Sequence, residues 1–99
     1  HPYLGISYQP IAPDVASTYN LPVQWGAYVT NVAANSPASQ AGLQQGDIIT
    51  QVGNVVIDAN HSYLNTLYTY KPGDVITLQV IRNGQTLQMQ ATLGEATHN

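Results

Sequence analysis

Apolar and polar positions alternate most cleanly near the end of the chain. In "QTLQMQATL", Leu87, Met89, Ala91 and Leu93 alternate with Thr86, Gln88, Gln90 and Thr92, and the run "DVITLQVIR" precedes it across Asn83-Gly84. A two-residue Asn-Gly connection between two such runs predicts a β-hairpin, because both residues accept the positive φ that the tight turn demands. The start of the chain carries a shorter version of the pattern. Tyr3-Leu4-Gly5-Ile6 is an apolar patch pinned around one glycine, and Ile6 and Tyr8 then alternate with Ser7 and Gln9. This predicts a strand over 6–9 with a bent entrance, where the backbone closely approaches something. "GAYVTNVAA" predicts a strand over 27–33, and "DIITQVGNVVI" two short strands that turn at Gly53-Asn54.

Helical spacing appears in three places. In "APDVASTYNLP", Pro13 suits a first helical position and Val15, Ala16 and Tyr19 share a face. "NSPASQAGLQQGD" offers Ser36 as N-cap, Pro37 as the first helical residue and Gly42 as the stop. "HSYLNTLYTY" is expected to be helical, with Asn60 as its cap, Leu64 and Leu67 turned to the core, and "KPGD" as its end. The sum is an α+β domain: a small curled antiparallel β-sheet, or partly open barrel, of five or six strands with two or three short helices.

Composition narrows the functional classes. Ninety-nine residues make one domain, with a core over about 3–93 and a tail over 94–99. Only 7% of residues are charged, and Lys71 and Arg82 are the sole Lys and Arg against five acids, which argues against nucleic acid and anionic membrane as partners. With no cysteine there is no disulfide or thiolate metal site. No apolar run reaches the roughly 18 residues of a membrane span, and the chain opens on no signal-peptide pattern; it reads as a mature domain or an excised fragment.

The chemistry is sparse. His1, His61 and His98 share no metal-ligand spacing, no serine sits in a Gly-x-Ser-x-Gly elbow, and Asp14, Asp47, Asp58 and Asp74 stand at turns or helix starts, where Asp serves as a cap. No catalytic residue, metal ligand or cofactor is assigned. The expected activity is binding.

Three segments in order, "YLGI", "GAYVTNVAANSPASQAGLQQGDIITQVGN" and "YLNTLYTYKPGDVITLQVIRNGQ", resemble the PDZ domain of bacterial HtrA/DegP-like trypsin-type serine proteases, over about residues 3–93. Almost nothing precedes the glycine loop and the strand 85–93 is appended at the end, which resembles the circularly permuted bacterial arrangement; other bacterial PDZ carriers, such as site-2 or carboxy-terminal processing proteases, are alternative parents. The resemblance implies that a partner's carboxy-terminus adds as a strand beside Tyr3–Gln9, its carboxylate on the amides of Leu4, Gly5 and Ile6. Leu4 and Ile6 would line the pocket for the last side chain, with Ser7 and Tyr8 on the strand; otherwise Leu4 and Ile6 are plain core residues and Gly5 a bulge. His61, Asn65 and Tyr68 would form the opposing helical stripe, Tyr68 walling the terminal pocket and His61 near the residue two before the end. His61 reads equally well as an exposed first-turn residue.

The implied partners are protein carboxy-termini and unfolded segments, and an N-terminal trypsin-like protease domain in an extracytoplasmic parent. None of that domain's catalytic triad is in this chain. Regulation, with the groove clasping other domains of the parent, is the competing function. A small β-barrel binding sugar or oligonucleotide is the third, which the outward Thr and Gln face of the hairpin disfavours.

Overall fold

The computed structural model describes residues 1–96; His98 and the end of the expected tail lie outside them. Six strands form one sheet. Strand β2 (Ile6–Ile11) pairs antiparallel with β3 (Gly26–Val32), and β3 with β4 (Ile48–Val52). Along its far half β4 receives β5 (Val55–Val56), while its other edge pairs with β6 (Val75–Arg82), itself paired over its whole length with β7 (Gln85–Thr92). A two-stranded ribbon joins β1 (Pro2–Tyr3) to β8 (Gly94–Glu95), so two residues expected in the tail instead hold the entry to the glycine loop. In this order β2 is an edge strand, bonded to β3 on one side and, among the described residues, to no strand on the other.

The helices are α1 (Pro13–Thr18), α2 (Pro37–Ala41) and α3 (Tyr63–Leu67). For α2 the local grammar decides everything: Ser36 Oγ accepts from the Ser39 amide at 3.1 Å, Pro37 takes the first position, and Gly42 ends the helix at φ 99°. The Asn83-Gly84 turn also forms as the pattern predicts, with φ 51° and 78°. In α1 the expected face is only partly realised, since Ala16 is buried but Tyr19 is 70% exposed at the C-cap.

Helix α3 departs furthest from expectation. Ser62, not Asn60, is its N-cap, accepting from the Asn65 amide at 3.1 Å. The buried residues are Tyr63, Thr66 and Leu67; Leu64, expected in the core, is 39% exposed. Tyr63 and Leu67, four apart, form the inward stripe because the Tyr8 ring of β2 meets the Tyr63 ring edge-on at a centroid distance of 4.7 Å.

The main core gathers Leu4, Val29, Ile49, Val52, Leu78 and Val80 with the inner faces of α2 and α3, and a smaller cluster of Ile11, Ala16 and Ile48 lies under α1. Asp47 is the one buried acid, tying α2 to β4 and β6. Its Oδ1 accepts from Arg82 Nε at 2.8 Å, and its Oδ2 from Arg82 Nη2 at 2.8 Å and the Gln44 amide at 2.9 Å. Asp47→Asn keeps an acceptor for Gln44 but loses the charge that faces the guanidinium. It is expected to lower stability by about 2 kcal/mol, read as a fall in Tm of roughly 8–16 °C; an unchanged Tm would show that the ion pair contributes nothing net.

Candidate functional site

The glycine loop is fixed by two backbone bonds. The Leu4 carbonyl accepts from the Ala38 amide of α2 at 2.8 Å, and the Gly5 carbonyl from the Ala33 amide at 2.9 Å. In a trans peptide the C=O and the following N–H point in opposite directions, and no peptide bond among the described residues is cis. With both carbonyls turned into the body of the domain, the amides of Gly5 and Ile6 turn the other way, as two successive donors aimed outward. Successive backbone N–H groups so aimed are able to receive an anion; Gly5 and Ile6 are two of the three residues whose amides the sequence points to.

Gly5 adopts φ +95°, and a Cβ added there would lie 2.4 Å from Ser36 Cβ and 2.8 Å from Ser36 Oγ. The glycine is therefore required by the packing of the loop against the N-cap of α2. Leu4 is 2% exposed and belongs to the main core, whereas Ile6 and Tyr8 are half-buried at its margin. Of the two places the sequence allows Leu4, pocket lining or core, the packing puts it in the core, while Ile6 stays at the margin.

Opposite the free edge of β2 stands α3. Its outward residues are Leu64, Asn65 and, at the C-cap, Tyr68, so Leu64 and Tyr68, four apart, share the stripe expected of His61, Asn65 and Tyr68. His61 precedes the cap and is not on the helix. It is exposed, and its Nδ1 lies 2.8 Å from Asp58 Oδ1. Leu64, expected in the core, instead lines the space beside Tyr8 and Pro10 of β2. The signal was present in the Tyr63/Leu67 spacing, which offers an inward stripe that leaves Leu64 outside.

Three tyrosines converge across the groove. Burial raises the Tyr63 hydroxyl well above the usual phenol range, with Tyr8 and Tyr68 adding to the shift; burial and then Tyr68 raise that of Tyr8. Tyr8 and Tyr63 therefore remain neutral hydrogen-bonding groups at physiological pH. His1 stacks on Tyr68 at a centroid distance of 5.2 Å, covering one face of that ring. At the other end, a cavity of about 190 Å³ lies between Tyr8 and Pro10 of β2 and Tyr63 and Leu64 of α3. A larger cavity, about 590 Å³, is elsewhere, between α1 and the β2–β3 pair, lined by Ile11, Val15, Leu21 and Tyr28.

Among the described residues no three His, Cys, Asp or Glu side chains cluster as metal ligands, and no helix is long and apolar enough to cross a membrane. The groove offers backbone donors, a strand edge and apolar walls.

Comparison with known proteins gives the same picture. A family model described as "PDZ domain" matches residues 2–93. The chain is 34% identical over 94 residues to a probable periplasmic serine endoprotease, DegP-like, of Chlamydia pneumoniae, covering 95% of this chain and 19% of that protein. It is also 34% identical over 94 residues to the periplasmic pH-dependent serine endoprotease DegQ of Escherichia coli, covering 95% of this chain and 21% of the relative. The chain thus spans about a fifth of the length of these curated relatives. Among solved structures it superposes on the HtrA-type protease AlgW with decapeptide at a TM-score of 0.78 and 28% identity, covering 94% of this chain and 29% of that one. It superposes on the HtrA3 PDZ domain bound to a phage-derived ligand, FGRWV, at 0.73 and 29% identity, covering 94% and 85%.

Proposed function

This chain belongs to the PDZ-domain family, and on that footing we propose that its groove captures extended peptide ends by adding them as a strand to the free edge of β2. The observation that carries the reading is the inward turn of the Leu4 and Gly5 carbonyls, which leaves the Gly5 and Ile6 amides to receive a terminal carboxylate. The last ligand residue then lies opposite Ile6, its side chain between Ile6 and the Tyr68 end of α3, and the residue two before it lies opposite Tyr8. A medium apolar last residue suits this space. The FGRWV ligand of the HtrA3 PDZ domain ends in Val.

The parent we propose is an HtrA-like serine protease of an extracytoplasmic compartment, with a trypsin-like domain ahead of this one. The support is the naming of the relatives and the fraction of their length that this chain spans. The domain itself is a non-catalytic recruiting module for carboxy-termini and exposed extended segments.

A second reading, regulation of the parent through the same groove, is favoured by one observation: the segment that leads into the loop is itself stacked on the groove wall, His1 against Tyr68. Titration of the isotopically labelled domain with a Val-ending pentapeptide tests both readings. Strand addition is expected to shift amide resonances over 4–9 and 64–68 and to protect the Tyr8 amide from exchange. Shifts confined to β6 and β7 would refute the groove, and very weak binding with the same shift pattern would favour an internal latch.

A further inference from the structure

We propose that the cavity at the far end of the groove is a subsite for a lysine or arginine side chain of the bound peptide, carried by the residue four before its last one. The inference rests on the strand-addition reading and deepens it. Counting back from a last residue opposite Ile6, the residue four before it lies opposite Pro10. Pro10 has no N–H, so the ladder from β2 loses its donor there. Beyond Tyr8, then, the backbone of β2 has little to hold a ligand with, and recognition passes to side chains.

The cavity at that point has the form of a sheath for a long side chain. Its volume is about 190 Å³, below the roughly 300–1,000 Å³ of sites for drug-sized ligands. Pro10, Trp25, Ile57 and Leu64 give it apolar walls, against which a methylene stem packs well. Among the described residues, Asp58 is the only formally charged one in its lining. The His61 hydrogen bond and then the Asn60 amide hold the Asp58 carboxyl below its ordinary range, so it is ionised at neutral pH. Both of those groups use Oδ1, His61 Nδ1 and the Asn60 amide each at 2.8 Å. Oδ2 has no hydrogen-bond partner among the described residues and, on a side chain 48% exposed, is open to a ligand cation. Neither Lys71 nor Arg82 lines the cavity, so no fixed cation opposes the arriving one; among the described residues, His61 is the one titratable neighbour bonded to Asp58.

The test uses acetylated heptapeptides ending in Val, with lysine, acetyl-lysine or glutamate at the fifth position from the end. Acetyl-lysine keeps the stem and removes the charge. The lysine peptide is expected to bind about three- to five-fold more tightly than the acetyl-lysine peptide at low salt, consistent with a partly exposed ion pair, and the glutamate peptide most weakly. The lysine advantage should disappear in Asp58→Asn, which retains an acceptor for the Asn60 amide. Equal affinities of the lysine and acetyl-lysine peptides, with a free carboxylate still required, would overturn this subsite and leave the groove reading intact. Failure of all three peptides to bind would overturn both.

Discussion

A pentapeptide ending in a free carboxylate is expected to bind this domain about ten- to a hundred-fold more tightly than the same peptide amidated. Amidation removes the charge from the group that the Gly5 and Ile6 amides receive, and a hydrogen bond to a charged acceptor contributes about 1.5–3 kcal/mol net. At 1.4 kcal/mol per decade, a dissociation constant on the order of 10 μM becomes roughly 0.1–1 mM. The two donors are held by inward bonds of their neighbouring carbonyls to Ala38 and Ala33, at 2.8 and 2.9 Å, so they do not need to reorganise when the anion arrives. Because the proposed recognition is by backbone dipoles, substituting side chains around the loop should not mimic the effect of amidation. Isothermal titration with the two peptides measures the difference directly. Equal affinities would remove the carboxylate from the proposal and leave only lateral strand addition.

How far the site was legible depended on how far apart its parts lie in the chain. The α2 cap, its proline and its glycine stop are neighbours, and so are the two turn residues of the β6–β7 hairpin; in each case the side-chain chemistry acts on backbone a few residues away, and the pattern was sufficient. Helix α3 was harder because Asn60 and Ser62 can both cap, and because Tyr63 and Leu64 are adjacent apolar residues about 100° apart on a helix. Either could have faced inward. The choice is made by Tyr8, whose ring is distant in sequence and packs against Tyr63. With Tyr63 inside, Leu64 must turn to the groove, and with Ser62 as the cap, His61 must leave the helix and find Asp58.

The same distance rule explains Asp47. Read locally it is a turn residue, and it does accept from the Gln44 amide as a turn aspartate would. Its larger part, gripping Arg82 from the end of β6, appears only once the sheet is assembled. Gly5 was legible as special, but the reason was not: the sequence suggested room for a ligand, and the structure shows lack of room for anything else.

That reason carries the largest expected effect on stability. Gly5→Ala is expected to destabilise the domain by about 3 kcal/mol, from two additive sources. At φ +95° an L-residue is strained, a cost of roughly 1–3 kcal/mol, and the new Cβ would sit 2.4 Å from the Cβ of Ser36, which is 2% exposed and cannot swing aside, an overpacking cost of about 1–3 kcal/mol. Ser36 is held in place at both ends of its hydroxyl, donating to the Ala33 carbonyl at 2.7 Å and accepting from the Ser39 amide at 3.1 Å. The fall in Tm should be about 12 °C or more. Ser36→Gly separates the two sources, because glycine is only a few tenths of a kcal/mol worse than serine as an N-cap and removes the atoms that collide. In the double variant the overlap is relieved while the strain at position 5 remains, so roughly half of the lost stability should return. If Ser36→Gly restores nothing in the Gly5→Ala background, the glycine is required for its conformation alone and the contact with the α2 cap is not what fixes the loop.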